Sequence, residues 1–119
     1  MSDPRIVNMI VRLIEETVTG RVSWKIGDAP RAMTLGTNDI YSLFVETEFR
    51  GTRFCMYEVR SKHYRDEDDF YWVDYVNFAV LDDRDRVLWT VKEIPEVYEL
   101  FADVKRKVAG VDKLLDYFR

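Results

Sequence analysis

"FYWVDYVNFAVL", residues 70–81, is the most apolar run in the chain. Its aromatic and β-branched content and its length predict a strand. A strand in a sheet with one wet face alternates apolar and polar residues, and this one does not. One side carries Trp72, Val76, Phe78 and Val80, interrupted by Asp74. The other carries Tyr71, Val73, Tyr75, Ala79 and Leu81, interrupted by Asn77.

The neighbouring segments read as further strands. Upstream, "RFCMYEVRSK" (53–62) follows the tight turn "RGT", and "YSLFVETEF" (41–49) precedes it. In the latter, Tyr41, Leu43, Val45 and Phe49 fall on one side and Ser42, Glu46 and Glu48 on the other. "VSWKI" (22–26) and "AMTL" (32–35) predict two short strands, separated by "GDAP". Downstream, "DDRD" turns the chain and "RVLWTVKEI" (86–94) returns as the last strand.

Both ends read as helix. Asp3 is placed to cap the first and Pro4 to occupy its first turn. Ile6, Ile10, Leu13 and Thr17 recur at helical spacing, widened by Val7, Val11, Ile14 and Val18, and Gly20 suits its end. Near the C-terminus Val97, Leu100, Phe101, Val104 and Val108 form a second stripe behind Pro95. Gly110 suits the end of that helix, and Asp112 a cap for a short last one. The layout predicts one α+β domain over residues 1–119: an N-terminal helix, an antiparallel meander of five to six strands, and C-terminal helices on one sheet face.

Composition narrows the function classes. The 119 residues are 47 % hydrophobic and 34 % charged, the balance of a globular domain. A net charge of −4 argues against nucleic acid, whose binders neutralise phosphates with a basic patch. Lys105, Arg106 and Lys107 project about 100° apart on a helix and form no stripe; near a helix C-terminus they complement the dipole. The single Cys55 excludes an internal disulfide and a Cys-rich zinc site, and its strand setting reads as a small buried hydrophobe. No apolar run approaches spanning length, and Ser2-Asp3-Pro4 lacks a secretory pattern, so a cytoplasmic protein without a membrane role is expected.

"KHYRDEDDFYW" (62–72) contains the only histidine, His63. Four consecutive acids are not a calcium loop, which spaces its ligands and uses a glycine. The second acidic turn, residues 82–85, lies about 35 Å away along an extended strand. The tip therefore reads as a solvated hairpin end, with a weak cation site as the alternative and no metal expected. Glycine-rich phosphate loops, a G-x-S-x-G elbow and H-E-x-x-H are all missing, and Glu58-Val59-Arg60 lacks the lysine of a nuclease-like E-x-K. No cofactor and no catalytic residue are assigned, and His63 as a general base is the one enzymatic alternative.

The residues flanking the acids, His63, Tyr64, Arg65, Tyr71 and Trp72, include the types enriched at protein-binding hot spots. An ordinary hairpin whose rings fold back on the sheet is the other reading. Phe44 lies opposite the Leu43 and Val45 side, and Phe54 and Met56 lie opposite Cys55, Tyr57 and Val59. If helices cover one face, Phe44, Phe54, Met56, Tyr71 and Tyr75 are expected on the other. Either the sheet curls to enclose both rows, or the second face is an aromatic patch for a partner, with a symmetric homodimer the simplest.

"TVTGRVSWKI" (17–26) and "ELFADVKRKVAGVDKLLDYF" (99–118) resemble small uncharacterised proteins of bacteria and their mobile elements. The resemblance covers the two ends only. It implies a bacterial or phage origin and carries no catalytic residue. The expected function is binding without covalent chemistry, to a protein partner or a second copy, in a regulatory, defence or anti-defence setting by analogy. A small-molecule pocket walled by Trp24, Trp89, Tyr57 or Arg60 is the alternative.

Overall fold

The computed structural model describes residues 3–119. The element order is α1 (Pro4–Val18), β1 (Lys25–Gly27), α2 (Arg31–Thr34), β2 (Ile40–Phe49), β3 (Thr52–Tyr64), β4 (Phe70–Leu81), β5 (Val87–Val91), α3 (Pro95–Val108) and α4 (Val111–Tyr117). The five strands form one sheet in the order β1-β2-β3-β4-β5, every neighbour antiparallel. This is the expected α+β meander with helices at both ends.

Asp3 caps α1 by accepting the Arg5 backbone N–H at 2.9 Å. Ile10, Leu13 and Thr17 turn to the core, and α1 packs on α3. Glu16 is also buried, and its carboxylate is held by Arg12 at 3.1 Å and Arg21 at 3.3 Å. Opposite charges at that range offset the cost of taking a carboxylate from water. Val97, Leu100, Phe101 and Val104 of α3 meet Val45, Phe54, Met56, Val76, Phe78 and Val91 in the main core. Asp112 does not cap α4; Gly110 holds that position, with a left-handed φ of 67°. Asp112 instead accepts from Arg106 of α3 at 2.6 Å.

The second face is covered as well. Phe44, Cys55, Tyr57, Val59, Ala79 and Leu81 form a separate buried cluster beneath the β1–β2 connection, with Ala29, Met33, Tyr41 and Tyr75 packed against it. "AMTL" is therefore not a strand. Residues 31–34 make one helical turn after Pro30, which places Met33 on the cluster, and the Tyr41 hydroxyl donates to the Met33 carbonyl at 3.2 Å. β4 is apolar on both rows because its second half is buried on both sides.

Phe54 and Met56 lie on the other face from the one expected, Phe44 lies on the expected face, and none of the three forms an exposed patch. Phe54 and Met56 point to the helix side with Val45, while Phe44 lies on the second face with Tyr57; all three are buried. The cause is the two-residue turn at Arg50 and Gly51, both at positive φ (52° and 80°), the geometry of a tight hairpin. It pairs Val45 with Met56 and Phe44 with Tyr57, so an even position of one strand faces an odd position of the other. A register shift between Tyr41 and Leu43 then turns Tyr41 to the second face, opposite Val59. Tyr71 and Tyr75 do lie on that second face, opposite His63 and Val59.

The molecule is elongated, 51 × 36 × 30 Å, with a radius of gyration of 15.8 Å. A compact domain of this length has about 13.5 Å. The β3–β4 hairpin contributes to the excess. Pairing with β2 stops at Arg60 and pairing with β5 stops at Phe78, whereas β3 and β4 remain paired to Tyr64 and Phe70. Among the described residues no helix is long and apolar enough to cross a membrane.

Candidate functional site: a two-stranded arm and the pocket at its base

The arm consists of residues 61–73 and has two different faces. On the helix side, Lys62 sits over Phe70 (4.5 Å) and Trp72 (5.3 Å), and Arg60 lies 5.9 Å from the Trp72 ring. Arg60 also donates to Asp74 at 3.0 Å, and Tyr64 and Phe70 pack at 5.8 Å. On the other side, Tyr71 and Tyr75 flank His63, each with its ring centre 5.7 Å from the imidazole, and Arg65 lies 4.9 Å over Tyr71. The Tyr75 hydroxyl is hydrogen-bonded to His63 Nε2.

These rings do not fold back into a core. Tyr64 is 60 % exposed, Phe70 and Tyr71 43 % and Trp72 39 %. The structure thus brings His63, Tyr64, Arg65, Tyr71 and Trp72 into one arm but divides them between its faces. Phe70 and Lys62 join them without having been expected at the site, and Arg60, expected in a pocket wall, stands here instead. The available signal was cations facing aromatics across the hairpin, visible only once the register pairs Lys62 with Trp72.

The acidic tip is an ordered turn. Arg65 N–H donates to the Asp69 carbonyl at 2.8 Å, and the Asp66 carboxylate accepts from the N–H groups of Asp68 (2.9 Å) and Asp69 (3.0 Å). Asp66 is therefore used in turn-building, as Asp commonly is. The second acidic turn is at the other end of β4, where Asp82 accepts from the N–H groups of Arg84 and Arg86, which hold its carboxyl below the usual range. Among the described residues no three His, Cys, Asp or Glu side chains gather to hold a metal ion.

β4 offers an open edge along the arm. Backbone groups of alternate residues point to the same side of a strand. The N–H groups and carbonyls of Phe70, Trp72 and Asp74 face the side that β5 leaves empty. Val76, next in that series, is met by the Tyr98 hydroxyl of α3, which accepts its N–H at 3.4 Å.

At the base of the arm, on the second face, lies a cavity of about 340 Å³. Four tyrosines line it: Tyr41 from β2, Tyr57 from β3, Tyr75 from β4 and Tyr98 from α3. Asp39, Lys92 and Glu93 line it too. Burial pushes the phenols of Tyr41 and Tyr57 up, and Asp39 adds to the effect at Tyr41. Lost hydration pushes Tyr75 up, followed by the Glu93 charge. These phenols stay protonated at neutral pH and can donate hydrogen bonds.

Of the expected pocket walls only Tyr57 is placed here. Trp24 belongs to the helix-side core, where its Nε1 donates to Thr17 Oγ1 at 3.0 Å. Arg60 is on the opposite face with Asp74, and Trp89 is exposed on β5, opposite Val80. Cys55 is fully buried, which pushes its thiol up to about 12 and leaves no thiolate at neutral pH. His63 engages Tyr75, and no carboxylate hydrogen-bonds to its ring among the described residues.

No family model matches the chain, and no curated protein or solved structure matches it.

Proposed function

We propose that this chain is a binding domain that recognises an extended segment of a partner protein along the free edge of its β3–β4 arm. The observation that supports this reading is the arm itself. Tyr64, Phe70 and Trp72 stand exposed on one face and Tyr71 on the other, beside an unpaired strand edge, on a hairpin that outruns the rest of the sheet. Folding alone gains little from such an element, since a two-stranded ribbon with wet faces is marginal. Exposed apolar patches mark interaction surfaces, and open edges accept added strands. In strand addition, main-chain hydrogen bonds supply affinity and alternate side chains supply specificity. Here Phe70 and Trp72 occupy those alternate positions, and Lys62, which has no ion-pair partner among the described residues, offers a charge beside them.

The test is selection of peptides from a random display library on the immobilised protein. Selected peptides are expected to shift the backbone amides of Trp72 and Asp74 in NMR spectra. Replacing both Phe70 and Trp72 by alanine should weaken them about ten-fold or more while the fold persists, because exposed cross-strand pairs are each worth only about 0.2–1 kcal/mol. Equal binding to the double variant overturns the assignment. A concentration-dependent dimer in light scattering that the same double substitution abolishes would give the surface to a second copy instead.

A further inference from the structure

We infer that the tyrosine-lined cavity at the base of the arm binds a small organic cation carrying an ammonium group. This goes beyond the arm reading and rests on different residues. The volume, about 340 Å³, is at the lower end of small-molecule sites. Its wall joins four phenol rings with two carboxylates, Asp39 and Glu93. Neither carboxylate has an ion-pair partner among the described residues, which form eleven ion pairs elsewhere. Lys92 is the one cation in the lining against two carboxylates, so the site keeps an excess of negative charge. Aromatic rings with nearby carboxylates are the surroundings that favour quaternary and alkyl ammonium groups over water. A bare metal ion would want a third anionic or imidazole ligand, which the described residues do not place there.

Glu93 holds a φ of 58° in the short link between β5 and α3. A non-glycine residue in that region costs about 1–2 kcal/mol, and strain of this kind is kept where surrounding structure or function demands it. Here it sets Glu93 in the wall of the cavity, beside Tyr75 and Tyr98.

The experiment is an NMR titration of the full chain with choline and with 3,3-dimethylbutan-1-ol, which has the same shape without the charge. Choline is expected to shift the resonances of Tyr75, Tyr98 and Asn77 and to bind about ten-fold more tightly than the neutral alcohol. Asp39→Asn and Glu93→Gln should each weaken choline several-fold, whereas Asp83→Asn, at the far end of β4, should leave it unchanged. Glu93→Gly separates binding from folding: it should be at least as stable as the parent, because glycine accepts the positive φ, and yet bind choline more weakly. Equal affinity for the alcohol, no saturable shifts at these residues with choline, or indifference to both Asp39→Asn and Glu93→Gln would each overturn the inference. The Phe70 and Trp72 double variant should bind choline normally, so failure of the arm proposal leaves this one standing.

Discussion

Phe78→Ala should lower the free energy of unfolding by about 3–5 kcal/mol. Phe78 is fully buried in the second half of β4, on the row that α3 covers, and its ring lies 5.5 Å from that of Phe54. Truncation removes the transfer energy of a benzyl group and leaves a cavity between strand and helices that neither layer can close. Urea denaturation measures the effect as a lower midpoint at an unchanged slope. Trp72→Ala, six residues earlier on the same row of the same strand, supplies the contrast. No helix covers Trp72, so its loss should cost less than about 1 kcal/mol. Similar costs at the two positions would mean that the arm is not the projecting element described above. The expected inequality makes stability and the proposed binding separable, because the base of β4 holds the fold and its outer half does not.

The second large effect is with pH. Cys55 has its thiol raised from 9.0 to about 12, chiefly by burial, with a smaller contribution from Glu46. The folded protein therefore keeps a proton that the unfolded chain releases above pH 9. The stabilisation is fully present below pH 9 and is lost as pH rises through 12. At about 1.4 kcal/mol per pH unit, the loss amounts to at most about 4 kcal/mol. Tyr57, buried beside Cys55, is pushed in the same direction and steepens the decline. Urea melts between pH 8 and 12 should show little change up to pH 9 and a steady fall from there to pH 12. Cys55→Ala should cost about 1 kcal/mol at pH 8 and lie on a shallower slope above pH 9. An unchanged slope in that variant would assign the alkaline loss to the tyrosines alone.

Both effects follow from a sheet buried on two sides, and that feature was only partly legible in the chain. The apolar excess of residues 70–81 was visible as a pattern, together with its two explanations. The structure encloses both rows in one half of the strand and leaves rings exposed on both faces in the other. The second half of β4 is enclosed, by helices on one face and the α2 connection on the other, while the first half carries exposed rings. The site was legible to the same degree. His63, Tyr64, Arg65, Tyr71 and Trp72 form the arm, but Phe44, Phe54 and Met56 are core. The pocket drew only Tyr57 from its expected walls.

What the amino-acid order determined by itself is local: the cap at Asp3, the helical stripes of α1 and α3, the turns at Arg50-Gly51 and at the acidic tip, and hence the order of elements. Each depends on residues a few positions apart, and propensity and periodicity report on that range. The tertiary structure decided which residues share a face. A two-residue turn reversed the parity between β2 and β3, and the irregularity after Tyr41 reversed it again for that one ring. It also decided the pocket, whose Asp39, Tyr57, Tyr75, Glu93 and Tyr98 come from separate segments and meet only because β5 stops short and α3 begins beside the open edge of β4. Such meetings are set by strand register and helix placement, which depend on contacts between residues distant in the chain.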